Sequence, residues 1–192
     1  MLLNTWLSSA LIDEPCGLSY TAIAMQHVCS EHEEERSAAI GAEARLRQLG
    51  LTLPGAPEPF GHYVEAVRTG QLLFLTGMLP TEGRGAKIIG RIGAELDIET
   101  GYRACRLAAL NGLAVARQHL GSLDKITRLV RLGVMIASNG GVQDQPRVAD
   151  GASKLLQDIF GADRNPCRIV FGVTNLPLGV PVELELIFEV TP

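Results

Sequence analysis

An arginine in an otherwise apolar segment near the end of the chain is the first residue whose type and position suggest chemistry. The pattern predicts one strand over residues 167–174, which contains Arg168, and another over 182–190 after a turn rich in proline and glycine. A guanidinium presents two parallel N–H donors that match a carboxylate, and a nearby glutamate can hold or activate a water molecule. The two strands therefore suggest an anion receptor beside a general base.

A structural explanation of the same residues competes with this functional one. Because apolar and acidic residues alternate in the second strand, Glu183, Glu185 and Glu189 share one face. Arg168 could form a structural ion pair with Glu183 or Glu185, or reach water from an edge strand. Glu185 is also the alternative to Glu183 as a base, and two carboxylates so close together can raise the pKa of one of them. The residue types alone leave both questions open.

The composition predicts a soluble globular protein with one domain. Hydrophobic residues make up 46% and charged residues 20% of the 192 residues, which is enough for one sizeable core. The formal net charge of −4 provides no electrostatic basis for binding nucleic acid. The scattered cysteines Cys16, Cys29, Cys105 and Cys167 form no zinc or disulfide motif. We expect a cytoplasmic protein with reduced thiols and no membrane association.

Residues 1–36 differ from the rest and are predicted to be a poorly ordered extension, with Met25 as an alternative start; residues 37–192 form the domain. The first basic residue is Arg36, so the mildly apolar start lacks the positive region of a signal peptide. This apolar stretch is also too short and too often interrupted to span a bilayer. An acidic run at 31–35 is typical of a solvated or disordered segment.

The rest of the chain reads as an alternation of strands and helices. Ser37 is a candidate N-cap for a first helix that stops at Gly50. The remaining predicted elements are strands over 63–68 and 71–77, a short strand over 87–89 within a mobile loop at 79–93, a helix over 97–120, a strand over 125–138 and a helix over 146–160. In the strand over 125–138, alternate residues from Ile126 to Val134 are expected to share one face. Asn111 interrupts the apolar stripe of the first long helix and is expected to bond a neighbouring loop.

This order predicts an α+β fold in which two main helices pack on one face of a mixed β-sheet. Several strands are apolar on both sides, so the second face needs cover as well. Burial against neighbouring subunits is the simplest way to provide it.

Several separated motifs together resemble the RidA/YjgF family, which is also called the UK-type or L-PSP family. Pro166-x-Arg168, a short apolar strand, Leu176-Pro177 and then Val-Glu-Leu-Glu from 182 to 185 resemble its C-terminal signature. Tyr-Val-Glu-Ala-Val from 63 to 67, then Gly70 and Leu-Phe-Leu-Thr-Gly from 73 to 77, are similar to its opening hairpin. The resemblance covers about residues 42–190, and a longer-chain subgroup of the family fits best.

The resemblance implies a chorismate-mutase-like fold and a closed homotrimer with sites in the clefts between subunits. It also implies a hydrolase that detoxifies reactive intermediates, namely an enamine/imine deaminase. Such an enzyme converts 2-aminoacrylate-type enamines and related imino acids to 2-keto acids and ammonia. No metal or organic cofactor is implied, because the imine carbon is already electrophilic.

The family's site residues can be carried over one by one. Arg168 matches the arginine that clamps the substrate carboxylate, and Glu183 matches the glutamate that positions and deprotonates the attacking water. Tyr63 matches a tyrosine that lines the cleft. Gly77 matches the glycine whose backbone closes the site beside the substrate.

Four positions in or near the implied site depart from the family pattern. A serine and a glutamine usually flank the hairpin glycine, whereas this chain has Thr76 and Met78, which make the mouth of the pocket more apolar. Asp150 stands where an asparagine is often found, and Val170 replaces a frequent cysteine. The carboxylate clamp is kept, and the substrate range is left open.

Two other classes of function fit the same sequence. A non-catalytic protein of this fold could sense a 2-keto or amino acid through the arginine pocket, binding without turnover. An endoribonuclease or translation inhibitor ranks last, because the acidic chain lacks the clustered cations that RNA phosphates require.

Overall fold

The computed structural model describes residues 40–192. The predicted extension over 1–36 and the Ser37 cap lie outside these residues. The described helices are α1 (Ala42–Gln48), α2 (Ile98–Leu120) and α3 (Gln145–Phe160). The strands are β1 (Ala66–Thr69), β2 (Leu72–Leu75), β3 (Thr81–Glu82), β4 (Gly85–Ala86), β5 (Ile126–Ala137), β6 (Cys167–Val173) and β7 (Val182–Val190).

Five strands form one mixed sheet in the spatial order β1-β2-β7-β5-β6. Only the β5–β6 pair is parallel, because α3 carries the chain back between these two strands. The remaining pairs of this sheet are antiparallel. Strands β3 and β4 form a separate small hairpin. This is the mixed α+β arrangement that the sequence predicts.

Helices α2 and α3 begin and end close to where the sequence predicts. Asp97 caps α2, with the Thr100 amide donating to Asp97 Oδ1 at 2.7 Å, and Gly121 ends it in a left-handed conformation with φ 82°. Pro146 lies in the first turn of α3, where its missing N–H costs no hydrogen bond. All of the predicted apolar face of α3 is buried: Val148, Ala152, Leu155, Leu156, Ile159 and Phe160.

The two faces of the main sheet have different surroundings. Along β7, the residues Val182, Leu184, Leu186, Phe188 and Val190 are buried in the core formed with the helices. We call this side the covered face. The residues between them, among them Glu183, Glu185 and Glu189, are only half-buried and lie on what we call the open face. The alternation in the sequence therefore predicts the orientation of β7 correctly.

Asn111 has the structural role that the sequence predicts. Its side chain is 1% exposed, and its amide nitrogen donates to the carbonyl oxygens of Leu79 at 2.8 Å and Thr81 at 2.9 Å. The amide thus fastens the β2–β3 connection to α2 and satisfies a group that would be costly to bury unbonded.

The prediction for the strand over 125–138 is wrong in its alternation. Two register shifts relative to β7, between Ile126 and Arg128 and between Leu129 and Arg131, interrupt it. As a result Arg128 is exposed whereas Leu129 is buried. A bulge adds a residue to one strand and so moves the following side chains to the other face.

Three other predictions need correction. Residues 87–89 form no strand, and the local pairing is instead the β3–β4 hairpin, whose turn contains Gly83 at φ 58°. The first hairpin is shorter than predicted, since β1 begins at Ala66 rather than at Tyr63. Helix α1 starts at Ala42 with Gly41 as its N-cap, so the cap of this helix is Gly41 and not Ser37. Within residues 40–192, no helix combines the length and the apolar run needed to cross a membrane.

Candidate functional site

Arg168 is held from the side by helix α3. Its Nη1 donates to Asp150 Oδ1 at 2.6 Å and to Ser153 Oγ at 3.0 Å. Within residues 40–192, Nε and Nη2 have no hydrogen-bond partner, and 29% of the side chain is exposed. One edge of the guanidinium therefore remains available to an external anion.

The partner of Arg168 differs from both glutamates that the sequence suggested. Arg168 is in register with Leu132 of β5, which is in register with Leu186 of β7. Directly paired residues of a sheet point to the same face, so Arg168 lies on the covered face, where α3 supplies the acidic partner. Val170, two residues further along β6, points to the same side.

Glu183 lies on the open face against the backbone of Gly77. A Cβ atom built on Gly77 would overlap Glu183 Oε1, so this close approach requires a glycine. Burial raises the pKa of the Glu183 carboxyl, because it disfavours the charged form. No ion pair within residues 40–192 compensates for this burial.

Glu185, the other candidate base, has a different environment. Its Oε2 accepts a hydrogen bond from Arg131 Nε at 2.7 Å, and the two side chains form an ion pair across β5 and β7. The Glu185 carboxylate is therefore engaged by a cation, whereas Glu183 forms no ion pair within residues 40–192. The two neighbouring glutamates are thus distinguished by their partners.

Tyr63, Thr76 and Gly77 line one cavity, and Gly77 is the residue of its wall that lies against Glu183. The walls also include Phe60, Glu65 and Met78. Tyr63 is 46% exposed, and its hydroxyl accepts a hydrogen bond from the Phe60 amide at 3.0 Å. This bond fixes the phenol at the edge of the cavity, although Tyr63 itself lies in irregular structure ahead of β1.

The structure groups the predicted site residues into two clusters. The arginine cluster contains Arg168, Asp150 and Val170, and the glutamate cluster contains Glu183, Gly77, Thr76 and Tyr63. Within one chain the clusters do not meet. Glu183 is in register with Met135 and hence with Phe171 of β6. Arg168 lies two strands away from Glu183 and three residues further along, which is roughly 10 Å both across and along the strands. Its side chain is also on the opposite face of the sheet.

Sequence reasoning missed two side chains that belong to these surroundings. Ser153 accepts a hydrogen bond from Arg168 on the same face of α3 as Asp150. Residues three apart on a helix are neighbours, so the sequence could have placed Ser153 beside Asp150. Arg131 pairs with Glu185, but only the register after the second bulge of β5 brings them together.

Comparison with known proteins identifies the family. Residues 43–190 match the family model described as "YjgF/chorismate_mutase-like, putative endoribonuclease". The chain is 36% identical to Protein TCP17 of Trypanosoma cruzi over 147 residues, which are 76% of this chain and 92% of that protein. It is 28% identical to the 2-iminobutanoate/2-iminopropanoate deaminase of Dermatophagoides farinae over 138 residues, 71% of this chain and 92% of the other.

A solved structure supports the same assignment. The chain resembles a "putative endoribonuclease" of Shewanella oneidensis MR-1 with a TM-score of 0.75 and 31% identity, covering 78% of this chain and 99% of that one. The family model spans both the hairpin that contributes Gly77 and the strands that contribute Arg168 and Glu183. The chain therefore belongs to the YjgF/RidA family of chorismate-mutase-like proteins.

Proposed function

We propose that this protein is an enamine/imine deaminase that converts 2-imino acids to 2-keto acids and ammonia. The observation that carries the proposal is the contrast between the two glutamates of β7. Glu185 is paired with Arg131, whereas Glu183 is half-buried without a cation and has a raised pKa. A general base works best when its pKa is close to the operating pH, so Glu183 is the better suited of the two.

In the proposed reaction, the cluster around Arg168 binds the substrate and the cluster around Glu183 activates the water. The free edge of Arg168 binds the substrate carboxylate through parallel N–H donors. The enamine tautomerises to the imine, and Glu183 takes a proton from a water molecule whose oxygen bonds to the imine carbon. Glu183 passes this proton to the imine nitrogen, which gives a carbinolamine. As the C–N bond breaks, the hydroxyl proton of the carbinolamine moves to the nitrogen, so that ammonia leaves and a 2-keto acid remains.

The two clusters of one chain are too far apart to bind one small substrate. We propose that the chains form a closed homotrimer, in which Arg168 of one subunit faces Glu183 of the next across a cleft. Apolar side chains outside the core support such an association: Val67 is 54% exposed, Phe171 46% and Ile169 36%. Monomeric proteins seldom leave a contiguous apolar surface in water.

The test is deamination by the purified protein. An amino-acid oxidase generates a panel of imino acids, and semicarbazide traps the fraction that the protein has not hydrolysed. We expect hydrolysis by the wild type, a loss of about 10- to 100-fold for Arg168→Ala from the missing charged hydrogen bonds, and a loss of about 100-fold or more for Glu183→Gln. Glu185→Gln is the matched control and should keep activity within a few-fold.

Two results would contradict the proposal. If Arg168→Ala and Glu183→Gln hydrolyse imines at the wild-type rate, the site is elsewhere. If no imine is hydrolysed by wild-type protein that still binds 2-keto acids, the protein is a sensor of the same fold rather than an enzyme.

A further inference from the structure

Arg168, the proposed receptor for the substrate carboxylate, already has a carboxylate beside it in the chain, that of Asp150. Asp150 lies on α3 and accepts a 2.6 Å hydrogen bond from Arg168 Nη1. The thiol of Cys105 also interacts electrostatically with Arg168. Burial raises the pKa of this thiol strongly, so it stays neutral. Asp150 is therefore the one negative side chain that contacts Arg168 within the described residues.

The hydrogen bonds divide the guanidinium into an occupied and an available part. Nη1 is used by Asp150 and by Ser153, and Ser153 in turn donates its hydroxyl proton to the Ala149 carbonyl at 3.4 Å. Ser153 can thus only accept from Arg168, which fixes the orientation of the contact. Nε and Nη2 remain as one fork for one planar carboxylate.

The charges, like the geometry, favour a ligand with a single carboxylate. Arg168 and Asp150 sum to zero, so a first carboxylate gains hydrogen bonds from the free fork but little net charge attraction. A second carboxylate on the same ligand is repelled by Asp150, whose side chain is 54% exposed.

We propose that Asp150 restricts the site to ligands with a single carboxylate and excludes dicarboxylates. This inference rests on the proposed function, because it takes Arg168 as the receptor of the substrate carboxylate. It narrows the substrates to monocarboxylic imino acids. An asparagine at this position would keep the shape of the contact and remove the repulsion.

The experiment compares the binding of two keto acids by calorimetry at fixed ionic strength. The probes are 2-oxobutanoate, with one carboxylate, and 2-oxoglutarate, with two. We expect the wild type to bind the first at least about tenfold more tightly than the second. Asp150→Asn should bring the ratio close to one, mainly by improving the binding of 2-oxoglutarate.

Asp158→Asn is the matched control. Asp158 is another acidic residue of α3, and its Oδ1 lies 2.5 Å from Lys154 Nζ rather than at Arg168. The substitution changes the net charge equally, so the ratio should stay at the wild-type value. The proposal is overturned if the wild type binds both acids equally, if Asp150→Asn leaves the ratio unchanged, or if Asp158→Asn shifts it as much.

The binding and hydrolysis experiments together distinguish a failure of this inference from a failure of the proposed function. Selective binding that depends on Asp150, in a protein that hydrolyses no imine, supports the receptor and rejects the deaminase. Imine hydrolysis with an unchanged ratio in Asp150→Asn supports the deaminase and rejects the role of Asp150.

Discussion

The covered and open faces of the sheet are built from the same strands, yet they differ in how tightly their side chains are fixed. On β7, Leu184, Leu186 and Phe188 are 0% exposed and fill the space under the helices. The residues between them, such as Glu183 and Ile187, are half-buried and remain partly accessible to solvent. Residues one position apart on a single strand therefore serve packing on one side and, in the proposed function, catalysis on the other.

This difference shows where the protein can change without unfolding. A core interior is packed like a crystal, and loss of a methylene there lowers the free energy of unfolding. A half-buried carboxylate such as Glu183 contributes little to packing, and its charge is mildly unfavourable to folding. Substitutions on the two faces should separate stability from activity.

The largest effect on stability is expected for Leu186→Ala. Leu186 is fully buried and packs closely on α2, where a Cβ on Gly112 would overlap its Cδ1. We expect the free energy of unfolding to fall by about 2–5 kcal/mol at every protein concentration. Urea unfolding of the wild type and the variant measures this loss.

Ile187→Ala is the control on the opposite face. If chains associate through the open face, this variant should lower the unfolding midpoint at protein concentrations where the wild type is assembled, and leave it unchanged at dilutions where the subunits of both proteins have separated. Sedimentation of both variants reports the oligomer. Equal losses for the two variants at all concentrations would remove the distinction between the faces.

A smaller stability effect but a large loss of activity is expected for Gly77→Ala. The new methyl group would occupy the position of Glu183 Oε1. The end of a flexible side chain can move aside at little cost in stability, but the carboxylate then leaves its place against Gly77. Imine hydrolysis should fall at least about tenfold, while the melting temperature stays near that of the wild type.

The comparison for this variant is Gly55→Ala. A Cβ on Gly55 meets no atom within 4 Å, so both activity and stability should be retained. Wild-type activity in Gly77→Ala would mean that Glu183 does not act from the position described.

The sequence predicts the covered face better than the open one. Alternation along β7 and the apolar stripe of α3 follow from local periodicity, because burial against one partner imposes it. Asp97 and Gly121 likewise mark the ends of α2 by local rules. These features need no knowledge of distant contacts.

The site depends on contacts that local patterns do not specify. Asp150 lies 18 residues before Arg168 and reaches it because α3 packs over β6. Arg131 finds Glu185 only through the bulged register of β5. The family resemblance supplied the residue types of the site, but not the ion pairs or the division into two clusters.

The smallest effect concerns the pH dependence of stability at Glu183. Burial raises the pKa of this carboxyl above its ordinary value of 4.5 in the folded chain, so the folded state binds the proton more tightly than the unfolded state. The resulting stabilisation is complete below the unfolded pKa and is lost as the pH rises through the folded pKa.

The side chain that Glu183→Gln introduces carries no charge at any pH. The variant should therefore match the wild type at about pH 4 and become slightly more stable towards about pH 8, in urea unfolding at a series of pH values. Glu185→Gln should show no such gain, because it removes an ion pair instead. Parallel stability curves for wild type and Glu183→Gln would mean that the open face leaves this carboxyl as well solvated as in the unfolded chain.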